Sequence, residues 1–333
     1  IKAMKYNILF LLIVFILSSC TSSNDKFKVG FLIPNTRDRS IKEKAYFTSK
    51  IKALGGETIV QSAEDDDKLQ IQQAEEMLNN GVQVLVINSV NQNTAAAIVR
   101  SAHAKNVKVI GYDRMIGNCD LDYYLSFDNI KVGKLMADYA LKLKPKGNYV
   151  LLGGDKADQN AIYVKKGQME QLDPYLKSGD IKITYNIYVE DWSRDDAKNY
   201  FAGYMNLGGI QPDVILSSYD GMTDGAIEVL KENDVAPGTV ITTGQDAEPI
   251  ACKNILSGYQ NMTVYKPLKK LAEKAAEICK KIVDNQKVTD ATSTQSNGMI
   301  DVPAILLEPI AVDKNNMKET VIADGHINES DLN

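Results

Sequence analysis

Histidine is nearly absent from this chain, with only His103 and His326 in 333 residues. Neither sits in an HExxH pattern or beside a carboxylate at ligand spacing, so metal-dependent chemistry has little to stand on and no metal is expected. Cysteine is scarce too. Beyond Cys20 the chain has Cys119, Cys252 and Cys279, an odd number without CxxC spacing, which argues against a disulfide framework or zinc site and points to buried free thiols. Basic charge is not in excess: 38 Lys and Arg face 43 Asp and Glu, for a net charge of −5, so a nucleic-acid partner is not expected. The apolar run Ile8–Leu17 is about half the 20 or so residues that a membrane-spanning helix needs, and nothing later approaches that length. What remains is an ordinary globular composition, 44% hydrophobic and 24% charged, long enough for two domains.

The first twenty residues set the expected compartment. Lys2 and Lys5 precede the apolar run, which ends in Leu17-Ser18-Ser19-Cys20, giving the charged, hydrophobic and small-residue regions of an export signal. The last four residues resemble the bacterial lipobox. That resemblance implies removal of residues 1–19, acylation of Cys20 as a membrane anchor, and a linker over 20–26. The product belongs in the periplasm or cell envelope. Cleavage removes two lysines and no acid, taking the net charge from −5 to −7.

From residue 27 short apolar runs alternate with amphipathic stretches. Strands are expected at Phe27–Ile33, Thr58–Gln61, Val82–Ile87 and Val107–Ile110, with helices over Ile41–Leu54, Leu69–Asn80 and Thr94–His103. Gly55-Gly56 and Asn79-Asn80-Gly81 mark helix ends, and Asp65-Asp66-Asp67 reads as an N-cap and acidic first turn rather than a metal site. The pattern resumes after residue 129, with strands near Tyr149–Leu152, Ile181–Tyr188, Val214–Ser217 and Val240–Thr242 and helices such as Ala161–Tyr175 and Gly221–Asn233. The fold class is therefore α/β, with two doubly wound parallel sheets, one per half.

Such sheets bind ligands beyond the carboxyl ends of their strands. Those segments read Asn35-Thr36-Arg37-Asp38-Arg39, Asn88-Ser89-Val90-Asn91, Tyr112-Asp113-Arg114, Gly154 to Asn160, Ser218-Tyr219-Asp220 and Gly244-Gln245-Asp246. Carboxylates, Arg, Asn and aromatic rings are the groups that read a neutral sugar: acceptors for hydroxyls, forked donors, and flat faces for C–H surfaces. The only glycine-rich candidate for phosphate, Gly153-Gly154-Asp155, fits neither GxGxxG nor GxxxxGK[ST], so no nucleotide cofactor is expected. Spacing alone leaves Asp113-Arg114 open as a surface ion pair, Trp192 as a core residue, and Lys266, just before Pro267, as a solvated side chain. Asp220 is expected to cap the helix that follows it.

Gly111-Tyr112-Asp113-Arg114-Met115-Ile116, Tyr124-Leu125-Ser126-Phe127-Asp128-Asn129, Gly244-Gln245-Asp246-Ala247 and Met262 to Pro267 resemble the periplasmic D-xylose-binding proteins of ABC transporters. The likeness runs from about residue 28 to 330 and includes Asp301-Val302-Pro303. It implies the type I periplasmic-binding-protein fold, two Rossmann-like lobes joined by three crossovers, placed here near Phe127–Asn129, Val264–Lys266 and Gln295–Asn297. One lobe then comprises 27–127 and 266–294, the other 128–265 and 295–333. Carried over by position, the resemblance assigns ligand contacts to Arg39, Asp113 and Arg114 on one lobe, to Asp158, Asn160 and Trp192 on the other, and to Asp246 and Lys266.

Two departures stand out. Where the family carries an Arg-Trp pair this chain reads Arg39-Ser40-Ile41, in a loop one residue shorter, and where the family carries Asn this chain has Tyr219. Tyr219 either restores the lost aromatic face or narrows the pocket. The expected function is monosaccharide capture, D-xylose or another pentose, by hinge closure and delivery to an ABC permease by a monomeric lipoprotein. A sensory co-receptor for chemotaxis or a membrane kinase is the alternative. A sugar enzyme is disfavoured, because Arg114 and Lys266 would keep Asp113, Asp158 and Asp246 ionised as acceptors rather than as an acid and base pair. A repressor of this fold class would carry a helix-turn-helix head, and none is visible.

Overall fold

The computed structural model describes residues 26–332. Cys20 and its flanking signal lie outside the described residues. The chain opens with β1 (Lys28–Ile33), α1 (Asp38–Ala53), β2 (Glu57–Ser62), α2 (Asp67–Asn79), β3 (Val84–Ile87), α3 (Ala96–Ala104), β4 (Lys108–Tyr112) and β5 (Tyr123–Phe127). It continues with α4 (Asn129–Leu143), β6 (Gly147–Gly153), α5 (Gln159–Ser178), β7 (Ile181–Tyr188), α6 (Arg194–Asn206), β8 (Val214–Ser217), α7 (Asp220–Glu232), β9 (Ile241–Thr243), α8 (Pro249–Ser257) and β10 (Thr263–Tyr265). It closes with α9 (Leu268–Val283), β11 (Ser293–Ser296), β12 (Asp301–Leu307) and β13 (Ile310–Val312).

The first lobe is built on a seven-stranded sheet in the order β11-β12-β5-β4-β3-β1-β2, parallel except for the β11–β12 hairpin. Its central strands are unbroken apolar runs because helices cover both faces. Leu32, Leu85 and Ile87 pack one side, and Phe31, Val84 and Val86 pack the other, against α9 residues such as Leu271 and Ala275. Asp66 caps α2 as the acidic triplet predicts, accepting from the Lys68 and Leu69 amides.

The second lobe has the parallel order β7-β6-β8-β9, with β10 and β13 pairing antiparallel beside it. Leu151 and Leu216 face one core, and Val150 and Ile215 the other. Helices α4 and α5 cross on paired glycines. A β-carbon on Gly133 would meet the Val164 carbonyl oxygen at 1.9 Å, and one on Gly167 would meet that of Ile130 at 1.9 Å. This close crossing fixes α5, whose N-terminus carries Asp158 and Asn160.

Two crossovers fall where the sequence places them, between β5 and α4 and between β10 and α9. The third does not. Residues 295–297 lie in the first lobe, at the end of β11 and the start of a hairpin turn, and the chain passes to the second lobe only between Leu307 and Ile310. The reason is burial. In β12, Val302 and Ala304 enter one core face and Ile305 the other, while Leu307 pairs with Phe127 of β5. Residues 295–307 therefore belong with the first lobe. The buried cysteines Cys119, Cys252 and Cys279 are free thiols, and no helix among the described residues is long and apolar enough to cross a membrane.

Candidate ligand site between the lobes

A cleft of about 880 Å³ lies between the lobes, and all nine side chains assigned from the sequence line it. Arg39 comes from the first turn of α1. Its Nε donates to Glu43 Oε1 at 3.2 Å, one turn along the same helix, while its other guanidinium nitrogens lie 3.0 Å from Asp113 Oδ1 and 3.5 Å from Asp246 Oδ2 across the cleft. The contact with Asp113 is close but off the N–H line, which leaves Asp113 Oδ1 without a hydrogen-bond partner.

Asp113 follows β4 in a left-handed conformation, φ 62°. Burial pushes its carboxyl up, but the charges of Arg39, Lys266 and Arg114 outweigh that, so it is held below the usual carboxylate range. It therefore faces the cleft as an acceptor. Arg114 donates to the Ser89 carbonyl at 3.3 Å and lies 3.5 Å from Asp158 on the opposite lobe. Burial raises the Asp158 carboxyl, with Arg114 opposing; one of its oxygens accepts from the Asn160 amide at the start of α5.

Asn160 is more occupied than a simple ligand contact. Its Oδ1 accepts from Tyr124 Oη at 3.1 Å and Asn129 Nδ2 at 2.9 Å, and its Nδ2 donates to the Asp113 carbonyl at 3.0 Å. One amide hydrogen remains for a ligand. The same Asp113 carbonyl also accepts from Tyr124 and Ser126, so this network ties the lobes together directly behind the site.

Trp192 sits in a short turn after β7, seated on Gly154, where a β-carbon would come within 2.2 Å of its ring. Tyr219 lies similarly over Gly221. The two rings meet edge to face, centroids 6.4 Å apart and planes at 87°. Tyr219 Oη donates to Glu248 Oε1 at 2.6 Å. Ser40, at the place of the missing stacking residue, is buried with its hydroxyl donating to Asn35. Lys266 is 2% exposed and its ammonium lies 4.0 Å from Asp246. It lines the cleft.

Asp220 does not cap its helix. Its fully buried carboxylate accepts from the Glu248 amide, Gln260 and Thr263, each at 2.9 Å, and so braces the wall behind Tyr219. Sequence reasoning did not single out Glu43, Glu248, Asn88, Ser89 or Gln245. Burial leaves Asn88 Oδ1, Ser89 Oγ and Gln245 Oε1 without partners near the cleft. The last three stand in strand-end segments that the sequence marks as polar; Glu43 carried the signal of an i, i+4 partner to Arg39.

Two lobes joined by three crossovers, with acceptors, forked donors and aromatic faces converging between them, give the architecture of a two-lobed receptor with its cleft at the lobe interface. Residues 29–287 match the family model described as periplasmic binding protein domain. The chain is 42% identical over 317 residues to a D-xylose-binding periplasmic protein of Haemophilus influenzae, with 95% of each chain covered. It is 40% identical over 318 residues to a D-xylose-binding periplasmic protein of Escherichia coli, covering 95% of this chain and 96% of the relative. Among solved structures it is similar to an ABC transporter solute binding protein of Clostridium phytofermentans with bound β-D-glucose, at TM-score 0.83 and 28% identity, over 92% of this chain and all of that one. The chain belongs to the periplasmic binding protein family, and is a solute receptor rather than an enzyme.

Proposed function

We propose that this protein captures a pentose, D-xylose foremost, by closing its lobes around the sugar, and delivers it to an ABC importer while anchored to the membrane through Cys20. The observation that carries the sugar reading is the cleft itself. Arg39, Arg114 and Lys266 alternate with Asp113, Asp158 and Asp246, and Trp192 and Tyr219 stand as two pinned aromatic walls at right angles. Each charged pair is long or misaligned, between 3.0 and 4.0 Å, so hydroxyls inserted between partners gain bonds without breaking strong ones.

The names of the two relatives point to D-xylose. Tyr219 lines the cleft with its hydroxyl tethered to Glu248, and we read this fixed ring as leaving less room for a hydroxymethyl substituent and so as favouring a five-carbon sugar. A wrong epimer leaves a buried donor or acceptor unpaired, which costs about 1–3 kcal/mol each.

Thermal shift on residues 21–333 with D-xylose, D-ribose, L-arabinose, D-glucose and D-galactose tests the reading. Ligand at about 100 times its dissociation constant stabilises by roughly 2.7 kcal/mol. The largest shift is expected with D-xylose. A larger response to another pentose reassigns the sugar, and no response to any sugar ends the monosaccharide reading.

A further inference from the structure

Asp246 and Ala247 are two consecutive non-glycine residues in the left-handed region, with φ of 90° and 52°. Such a residue is strained and persists only where the surroundings hold it. The amides of this turn are held from within the second lobe: Asp246 N donates to the Val264 carbonyl at 2.9 Å and Ala247 N to Thr263 Oγ1 at 3.1 Å. Its carbonyls are held by the C-terminal segment of the same lobe. His326, far along in sequence, places Nε2 3.2 Å from both the Asp246 and the Ala247 carbonyl oxygens. Carbonyls only accept, so Nε2 carries the proton and donates to both. The imidazole is itself fixed against Tyr265, ring centroids 4.8 Å apart, and the segment around it is rooted in the second-lobe core by Val321 and Ile327.

The same residue reaches the other lobe. Lys42 Nζ, on α1, donates to the His326 carbonyl at 3.0 Å. Helix α1 therefore meets the Asp246 turn twice, directly through Arg39 at 3.5 Å and indirectly through Lys42 and His326. Lys42 and His326 both line the cleft.

From this geometry we infer that His326 is a positioning residue: its imidazole holds the strained Asp246-Ala247 turn in the shape that presents the Asp246 carboxylate to the sugar, and its carbonyl docks Lys42 as the lobes close. This rests on the reading of Asp246 as a sugar contact. The C-terminal segment is then a clasp that couples closure to the site.

The test uses the chain of residues 21–333, D-xylose as the probe, and three variants. His326→Ala weakens binding by about ten- to hundredfold, the loss of two hydrogen bonds to a site group. His326→Gln, whose amide still offers N–H donors, recovers most of that loss. Lys42→Met raises the dissociation rate of D-xylose by a larger factor than it lowers the association rate; an unchanged dissociation rate overturns the docking role given to the His326 carbonyl. The inference is overturned if His326→Ala binds D-xylose as the unaltered chain does, or if the Ala and Gln variants lose affinity equally and only in step with a lower melting temperature. An unaltered chain that fails to bind D-xylose, or an Asp246→Asn variant that binds it normally, defeats the site reading itself and the inference with it.

Discussion

Tyr219 and Glu248 are the pair of side chains on which the proposed choice of sugar turns. The ring is wedged over Gly221 and tethered at its hydroxyl, so it behaves as fixed wall rather than mobile lid. Tyr219→Asn removes that wall, and titration calorimetry should show D-glucose gaining on D-xylose by about tenfold or more, the range that one added or removed carbon group is worth. An unchanged preference would place selectivity elsewhere. Glu43 gives a second residue-scale prediction. Burial, offset only in part by Arg39, raises its carboxyl from 4.5 to about 7. The folded chain keeps this proton to higher pH than the unfolded chain does, so the stability it contributes is complete below about pH 4.5 and is lost as pH rises toward 7. Glu43→Gln keeps an acceptor for Arg39 and should flatten the fall in melting temperature across that window; parallel profiles for the two proteins would contradict the assignment.

At the scale of elements, the crossing of α4 and α5 is the most exacting feature near the site. Because backbone meets backbone at Gly133 and Gly167, a methyl group at either position forces the helices apart, at a typical overpacking cost of about 1–3 kcal/mol or more. Gly133→Ala and Gly167→Ala should each lower the melting temperature by several degrees, and the double variant by less than the sum, since one displacement relieves both clashes. Full additivity in the thermal midpoints would mean that the helices do not move as a pair. Such packing is invisible in sequence, where both glycines read only as weak helix formers. The strands and helices themselves were legible because parallel strands and amphipathic helices carry different periods. The third crossover was not. The resemblance places it at Gln295–Asn297, but Gly298 at φ 92° and the Asn297 amide bonded to the Ile300 carbonyl make this stretch a hairpin turn, and the Pro303 in β12 disguises a strand that is buried on both faces. For the site, strand-end segments marked Arg39, Asp113, Arg114, Asp158, Asn160, Tyr219 and Asp246 as cleft positions, whereas Trp192 and Lys266 were assigned only through the family resemblance, since spacing alone leaves the one open as a core residue and the other as a solvated side chain. What Asn160 does was hidden, because its partners Tyr124, Asn129 and Asp113 come from both lobes.

Across the whole molecule, polar contacts that bridge the lobes cluster at the cleft: Asn160 with Asp113, Arg114 with Asp158, Arg39 with Asp246, and Lys42 with His326. A bound sugar placed among them adds hydrogen bonds to both lobes at once and excludes water from charges already arranged to receive hydroxyls, the condition under which a small polar ligand reaches micromolar affinity, near −8 kcal/mol. Isothermal titration of D-xylose into residues 21–333, beside the Asp113→Asn variant, addresses this directly. Saturable one-to-one binding with a dissociation constant at or below the micromolar range, weakened at least tenfold in the variant, is the predicted result. A flat titration with the unaltered chain, or equal affinity in the variant, would show that this cleft is not where the sugar is held.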